Sequence, residues 1–368
     1  MILKDRYKIE KRIGEGAMAK VYLAMDTQHN RPVAIKQISP PPEMFDVHTA
    51  IKRFEREYQF LSSINHPNII RAYDFFEHQS HTFMVLEYVQ GFTLEHVFRN
   101  YPRPDLKRLV NLALHIAYGV EVINLAGILH RDLKPSNIIV NNRGIKILDL
   151  GIGKHMNIDV TRLSEHGSFI GTIEYASPDQ FSGKVTANSD VFSLGVILYQ
   201  LFTWQPHSPF LEHDIPSTLT KIVTQDLPSL VHVLPPQLYN ENKPFYDDFS
   251  RLLTHALQKG SDDRIADAMT FVAKLETITK GHIYHQITPQ EVYQTLSAQA
   301  RDELKQIGDR HGRTLPQASQ KKPQTSLGQT RVRRRRMEAQ KRNKAFKWLV
   351  LSTAILLVIV TGVIWYFS

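Results

Sequence analysis

The stretch HRDLKPSNIIV, residues 130 to 140, constrains the fold of this chain more than any other segment. A histidine, an arginine, an aspartate, a lysine and an asparagine fall within eight residues, and an apolar strand-like run follows at once. Polar groups at this density do not build a core, because each buried one needs a hydrogen-bond partner. A second apolar run, IKILDLG, begins after a short polar turn. The pattern predicts a hairpin with Asp132, Asn137 and Asp149 on loops at its two ends.

These residues and two upstream features fit the binding of a phosphate. Carboxylate and amide oxygens suit Mg²⁺, which normally also uses nucleotide phosphates and water. Residues 14 to 21, GEGAMAKV, place glycines between two predicted strands, where the backbone can approach a phosphate closely. A plain hairpin is the alternative for these glycines. Lys36 ends the apolar strand VAIK, and Glu57 on the next predicted helix is its natural anionic partner; the alternative is a surface lysine and an exposed glutamate.

The hydrophobic pattern changes from strand-like to helical partway along the chain. Short β-branched and apolar runs predict strands from residue 7 to 38, and apolar residues at three- and four-residue spacing predict a helix from about 49 to 64. Further on, LVNLALHIAYGVEVINLAG predicts a helix that ends at Gly127. We therefore expect an α+β protein with a small strand-rich part, 1–88, and a larger helical part, 89–280.

Positive charge is concentrated towards the end of the chain. The net charge is +9, and the segment 331–347 alone holds nine Lys or Arg against one Glu, which gives +8 and leaves +1 for all other residues. Residues 281–347 read as a polar and then basic linker, in which a capping box at Thr288 predicts a short helix to about residue 307. The basic residues either bind anionic lipid headgroups or neutralise nucleic-acid phosphates.

Residues 348 to 367 form a run of 20 residues without a charge. A helix of this length, at about 1.5 Å per residue, spans roughly 30 Å, which is the thickness of a bilayer core. The run predicts one transmembrane helix; a buried core helix is the alternative. Its basic flank is expected on the cytoplasmic side. Because cysteine is absent and the N-terminus lacks a leader-like apolar stretch, we expect a cytoplasmic folded part held at the cell membrane by a C-terminal anchor.

In order and approximate spacing, the motifs resemble those of bacterial eukaryotic-like (Hanks-type) serine/threonine protein kinases over residues 7–275. The resemblance implies a bilobal protein kinase fold, with the N-lobe at 1–88 and the C-lobe at 89–280, before the linker at 281–347 and the transmembrane helix at 348–367. It implies phosphorylation of this chain and of protein substrates on serine or threonine. The implied cofactors are ATP and Mg²⁺, with Mn²⁺ as an alternative ion. We expect no extracellular sensor domain of the kind that some members of this family carry.

The resemblance assigns roles in the reaction to individual residues. Asp132 resembles the catalytic aspartate that orients the substrate hydroxyl and accepts its proton, and Lys134 resembles the lysine that neutralises the transferred phosphoryl group. Asn137, also counted as catalytic, and Asp149 resemble the two metal ligands. The residues expected around ATP are Gly14, Glu15, Gly16, Val21, Ala34, Lys36, Glu57, Glu87 and Val89. Residues 87–89 resemble the segment that meets adenine through backbone groups.

Other matching positions have structural or regulatory roles in the family. Asp190 resembles the aspartate that anchors the catalytic loop, and Thr172 lies in a motif of the serine/threonine-specific branch. Asp179 and Arg264 resemble an ion pair that ties the activation segment to the large lobe. Arg131 resembles the arginine that receives an activation-loop phosphate. The candidate acceptors of that phosphate are Thr161, Ser164 and Ser168.

Three positions depart from the family pattern, and none of them removes a catalytic group. Ala19 replaces the third loop glycine, Leu150 replaces phenylalanine of the Asp-Phe-Gly motif, and Asp179 is one methylene shorter than the usual glutamate. The expected partners are protein substrates, anionic lipids and a second copy of the chain, with nucleic acid as a further partner of residues 331–347. The alternative functions are a catalytically silent scaffold at the membrane and a membrane-bound kinase that binds nucleic acid.

Overall fold

The computed structural model describes residues 1–16, 19–38, 47–141, 144–150 and 173–281. Within these ranges a strand-rich lobe is followed by a mainly helical one, as the hydrophobic pattern predicts. The predicted short helix after Thr288, the basic segment and the apolar run 348–367 lie outside the described residues. Among the helices that the structure does describe, none combines the length and the apolar character that a membrane span requires.

The small lobe is built on an antiparallel sheet of six strands in the order β1-β2-β3-β4-β6-β5. Side chains alternate between its two faces. Val33 and Ile35 point into one apolar cluster, while Ala34 and Met84 belong to the main core of the protein. The strands are β1 (Ile2–Leu3), β2 (Tyr7–Glu15), β3 (Ala19–Asp26), β4 (Arg31–Ile38), β5 (Ala72–His78) and β6 (His81–Glu87).

One helix, α1 (Val47–Ser63), packs on the main-core face of this sheet. Its buried Phe54 and Leu61 recur on one side of the helix, as the apolar spacing predicts. Glu57 lies on the same buried side. The helix therefore places a carboxylate beside the sheet face that carries Ala34 and Lys36.

The large lobe is organised around two long, mostly buried helices, α3 (Leu106–Leu125) and α5 (Ala187–Thr203). Asp105 caps α3 by accepting the Arg108 N–H at 2.9 Å. Beyond the other end of α3, Gly127 has a φ of 76°, a conformation that glycine adopts without strain. The remaining helices within the described residues are α2 (Leu94–Asn100), α4 (Pro178–Phe181), α6 (Ile215–Thr224), α7 (Leu230–Val233), α8 (Pro236–Glu241), α9 (Lys243–Ala256) and α10 (Ala268–Gly281).

A second, three-stranded sheet carries the predicted hairpin. It contains β7 (Phe92–Thr93), β8 (Ile138–Asn141) and β9 (Gly144–Ile147), and a 3₁₀ turn at Pro135–Asn137 leads into β8. The segment before β7 lies so close to β8 that a Cβ built on Gly91 would sit 2.4 Å from the carbonyl oxygen of Val140. Glycine is therefore required where the chain enters the large lobe.

Candidate active site

Lys36 lies between two carboxylates that come from distant parts of the chain. Its Nζ is 2.6 Å from Asp149 Oδ1 and 3.4 Å from Glu57 Oε1. Burial acts to lower the pKa of Lys36, but the charges of Asp149 and then Glu57 outweigh it, so the pKa lies above its ordinary value. Burial also raises the pKa of Glu57 to about 7, against the opposing effect of Lys36. Lys36 is therefore a charged ammonium whose shorter contact is with Asp149.

Glu57 is held by a second contact besides the lysine. The backbone N–H of Leu150 donates to its carboxylate. This donor directly follows Asp149, so α1 is joined to the end of the hairpin as well as to β4. The sequence predicts the partnership of Lys36 with Glu57, but the bond from Leu150 and the short contact with Asp149 depend on the packing of the two lobes.

The loop of residues 130–137, which the resemblance predicts to be the catalytic loop, brings the polar residues of the opening stretch together. Asn137 Nδ2 donates to the Asp132 carbonyl oxygen at 2.9 Å and to Asp132 Oδ2 at 3.2 Å. Lys134 Nζ lies 3.3 Å from the same Oδ2. The Leu148 N–H donates to the Asn137 carbonyl at 2.7 Å, which joins the loop to the residue before Asp149. The segments before β8 and after β9 thus meet at the open end of the hairpin.

The donor set at this place fits a magnesium ion. Because both amide bonds of Asn137 to Asp132 use Nδ2, its Oδ1 is the atom left to act as a ligand. The Asp149 side chain is half exposed and supplies carboxylate oxygens. Two oxygen donors from the protein, completed by phosphate and water, are what Mg²⁺ usually takes. Asn137 and Asp149 would hold the ion, which would neutralise phosphate charge.

Asp190, in the first turn of α5, accepts three hydrogen bonds and is almost completely buried. Its Oδ2 accepts the His130 N–H at 2.8 Å and Asn124 Nδ2 at 2.8 Å, while its Oδ1 accepts the Arg131 N–H at 3.0 Å. Arg131 has a φ of 61°, which is unusual for a residue with a side chain. The carboxylate therefore holds the backbone in this conformation directly before Asp132.

Gln180 of α4 bonds to the loop of residues 130–137, and this bond was not predicted from the sequence. Its Nε2 donates to the Arg131 carbonyl at 2.8 Å, and its Oε1 accepts the Ser177 N–H at 2.9 Å. The Ser-x-x-Gln spacing is typical of a capping box, and this is the sequence signal that could have pointed to Gln180. Of the residues predicted nearby, Thr172 and the three candidate phosphate acceptors, Thr161, Ser164 and Ser168, lie outside the described residues.

Asp179 and Arg264 form an ion pair despite the shorter aspartate side chain. The guanidinium is buried and also donates to the carbonyl oxygens of Gln258 at 2.9 Å, Lys259 at 3.1 Å and Asn188 at 3.2 Å. These carbonyl contacts fix the position of Arg264 independently of the carboxylate. The pair links α4 to the segment between α9 and α10.

The residues expected around adenine lie where the two lobes meet. Ala34 is buried in β4 opposite Leu86 of β6, and Val21 of β3 is opposite Lys36. The Glu87 N–H donates to the Arg71 carbonyl at 2.8 Å, while within the described ranges the Val89 N–H has no protein acceptor. These three inner strands of the sheet thus provide an apolar wall next to a segment that has a backbone donor available.

The glycine-rich loop joins β2 to β3. A Cβ on Gly14 would be 3.6 Å from the nearest Val21 atom, and a Cβ on Gly16 would be 3.9 Å from the Ala19 carbonyl oxygen, so contacts with the described residues do not require either glycine. The Glu15 side chain is exposed and paired with Arg12. Among the described residues, the packing leaves room for a Cβ at both glycines.

Lys146 of β9 was not among the predicted site residues. Its Nζ lies 2.8 Å from Glu87 Oε2 and 3.1 Å from the Ile69 carbonyl oxygen. A lysine between the apolar residues of IKIL is the same signal that identified Lys36. The pair with Glu87 could not be found this way, because it joins residues in two different sheets.

Comparison with known proteins agrees with this geometry. The family model described as "Protein kinase domain" matches residues 7–275. The chain is 33% identical over 278 residues to the probable serine/threonine-protein kinase PknB of Lactococcus lactis, a match that covers 72% of this chain and 43% of that protein. It is 30% identical over 289 residues to the serine/threonine-protein kinase PknB of Mycobacterium tuberculosis, covering 76% of this chain and 44% of that protein.

The fold is also similar to a solved structure, the kinase domain of M. tuberculosis PknI. The TM-score is 0.56 at 20% identity, over 74% of this chain and 96% of that domain. The match spans less than half the length of each PknB relative, so the similarity concerns the kinase domain only. With the family model matching most of the chain, the protein belongs to the protein kinase domain family.

Proposed function

We propose that this protein is an ATP-dependent protein kinase that phosphorylates serine or threonine. One observation supports this more than any other: Lys36, Glu57 and Asp149 form a single charged cluster although they come from three distant segments. Asp132 and Asn137 bond to each other at the same end of the hairpin. The site therefore combines a cation for phosphates, oxygen ligands for a metal and a carboxylate for the acceptor hydroxyl.

Each residue of the site has a chemical task in this proposal. Lys36 binds the α- and β-phosphates, and Glu57 positions its ammonium group. Asp132 orients the substrate hydroxyl and accepts its proton, and Lys134 balances charge on the transferred phosphoryl group. ATP and Mg²⁺ are the cofactors. Because phosphoryl transfer needs mainly positioning and charge neutralisation, fixed side chains of this kind are sufficient.

The test is transfer of labelled phosphate from ATP with magnesium, using the full chain in lipid nanodiscs and a generic protein acceptor. We expect label on serine or threonine, and we expect Asp132→Asn to lower the rate at least a hundredfold, in line with the loss of a catalytic base. Asp248→Asn, which changes an exposed carboxylate of α9, is the matched control and should keep the rate. Transfer that is equal in both variants would refute the assignment of Asp132. ATP binding without transfer would favour the scaffold function.

We further propose that the kinase phosphorylates itself between its metal site and α4. The support is Arg131, whose backbone is fixed by Asp190 and Gln180 and which has no ion-pair partner among the described residues. A phosphate on Thr161, Ser164 or Ser168 would be a suitable partner. Mass spectrometry of protein incubated with ATP should find one of these residues modified; three unmodified residues in active protein would refute the proposal.

Attachment to the membrane rests on the sequence alone. The uncharged run 348–367 is proposed as a single span with the kinase domain in the cytoplasm, and residues 331–347 as a segment that binds anionic lipids. Full-length protein should stay with the membrane fraction after a carbonate wash, and a chain ending at residue 347 should not. Salt-sensitive DNA binding that disappears on deletion of 331–347 would instead support the nucleic-acid function.

A second copy of the chain is a further proposed partner. Cross-linking of the full chain in nanodiscs tests whether two copies associate.

A further inference from the structure

Lys146 joins two parts of the small lobe from a strand of the other sheet. Its Nζ binds Glu87 Oε2 at 2.8 Å, at the end of β6, and the Ile69 carbonyl oxygen at 3.1 Å, in the connection between α1 and β5. The side chains of Lys146 and Glu87 are only 17% and 25% exposed. Partial burial makes such an ion pair stronger and less sensitive to salt than a surface pair.

The backbone on which Lys146 stands is itself fixed. The next residue, Ile147, donates its N–H to the Asn68 carbonyl at 2.8 Å and accepts the Ile70 N–H at 3.0 Å. Asn68 Nδ2 also donates to the Ile145 carbonyl at 3.2 Å, on the other side of Lys146. The ammonium therefore projects from a rigid base, and its position defines that of Glu87.

Glu87 is the first residue of the segment proposed to meet adenine. Its N–H donates to the Arg71 carbonyl, and it pairs with Val33 in the sheet, so its backbone is held by β4 and by the chain before β5. The pair with Lys146 is the contact between its side chain and β9. Without this contact, Glu87 would still pair with β4, but its side chain would no longer be bound to the three-stranded sheet, which carries the proposed metal site.

We propose that Lys146 is a positioning residue for ATP: by binding Glu87 and the Ile69 carbonyl, it fixes the adenine-binding segment relative to β9. This inference rests on the proposed kinase function and adds a residue to it. Lys146 does not act on the phosphates. Its loss should weaken binding of the nucleotide and leave the chemical step nearly unchanged, which is the kinetic pattern of lost ground-state binding.

The test uses the full chain in nanodiscs and compares Lys146→Met with Lys146→Arg. We expect the methionine variant to raise both the KM for ATP and the dissociation constant of ATP about three- to tenfold, with kcat within about twofold. The arginine variant should restore most of the affinity, because it can still bind a carboxylate and a carbonyl. Glu87→Gln should have a similar effect, and combining it with Lys146→Met should add little.

Lys221→Met is the matched control. Lys221 is paired with Glu212 at 2.5 Å and is similarly half-buried, but it lies in α6 of the large lobe. Lys221→Met should leave the KM for ATP unchanged, even if it lowers the midpoint temperature of thermal unfolding as much as Lys146→Met does. An unchanged KM in Lys146→Met, or equal changes in both variants, would overturn the inference. A wild type that binds ATP but transfers no phosphate would instead contradict the proposed function.

Discussion

Replacing Asp190 with asparagine should destabilise the protein and impair phosphate transfer together. The carboxylate accepts three donors, His130 N–H, Arg131 N–H and Asn124 Nδ2. An amide has one oxygen, so its best orientation keeps the two bonds now made to Oδ2 and turns an NH₂ group towards the Arg131 N–H. One charge-assisted bond is then lost, and two donors face each other in a buried site.

The magnitude follows from these contacts. Loss of a hydrogen bond to a charged group changes stability by about 1.5–3 kcal/mol, and an unsatisfied buried donor adds about 1–3 kcal/mol. The neutral amide is easier to bury than a carboxylate, which offsets part of the change. We expect Asp190→Asn to lower the free energy of unfolding by about 3 kcal/mol. We also expect kcat to fall at least tenfold, because Arg131 directly precedes Asp132.

Urea unfolding followed by circular dichroism measures the first effect, and labelled phosphate transfer measures the second. Asn124→Ala is the control, since it removes the bonds of Asn124 Nδ2 to Asp190 and to the Ile128 carbonyl oxygen but leaves both loop N–H groups bonded. Because one lost bond is to the charged carboxylate, this variant should lower stability by about 1.5–3 kcal/mol, but it should keep most of the activity. If Asp190→Asn stayed within about 0.5 kcal/mol of the wild type and kept its kcat, a role for this carboxylate in holding the loop would be refuted.

Three further predictions concern stability. Gly91→Ala should lower the free energy of unfolding by about 1–3 kcal/mol or more, because its Cβ would meet the backbone oxygen of Val140. Arg264→Leu should lower it by about 3–5 kcal/mol, because it leaves the Asp179 carboxylate without its buried partner. Burial raises the pKa of Glu174 to about 7, so the folded state binds a proton more tightly than the unfolded state; stability should fall as pH rises from about 4.5 to 7, and Glu174→Gln should flatten this slope.

Matched variants separate these effects from general sensitivity to substitution. Gly260→Ala, where the close neighbour is a movable carboxylate, should be milder than Gly91→Ala. Arg251→Leu, in an exposed pair of α9, should change stability by less than about 1 kcal/mol. Glu77→Gln, at an exposed strand position, should leave the pH slope as it is in the wild type. If a test variant and its matched variant changed stability or its pH dependence equally, the reasoning behind that test variant would be contradicted.

Local features of the fold could be predicted from the sequence. The helix expected from about 49 to 64 is α1, the helix expected to end at Gly127 is α3, and the hairpin after the polar stretch is β8 and β9. Periodicity and glycine positions determine these elements over short distances. The bilobal division was likewise visible in the change of pattern.

Contacts between distant segments were harder to predict. The Lys36 bond to Asp149 and the Lys146 bond to Glu87 both depend on the relative position of the two sheets. Local sequence patterns do not predict that position. The need for Gly91 arises from close packing against β8 and could not be distinguished from an ordinary turn glycine. The sequence therefore identified which residue types carry the chemistry better than it identified what holds them.

The short contact between Lys36 and Asp149 makes the two proposed ligands interdependent. The Lys36 ammonium group lies 2.6 Å from Oδ1 of Asp149, the carboxylate proposed to bind the metal. Phosphates bound to Lys36 would free an oxygen of Asp149 for Mg²⁺, and an ion bound to Asp149 would free Lys36 for phosphates. Nucleotide and metal should bind with positive heterotropic cooperativity, and each must then increase the affinity of the other by the same factor.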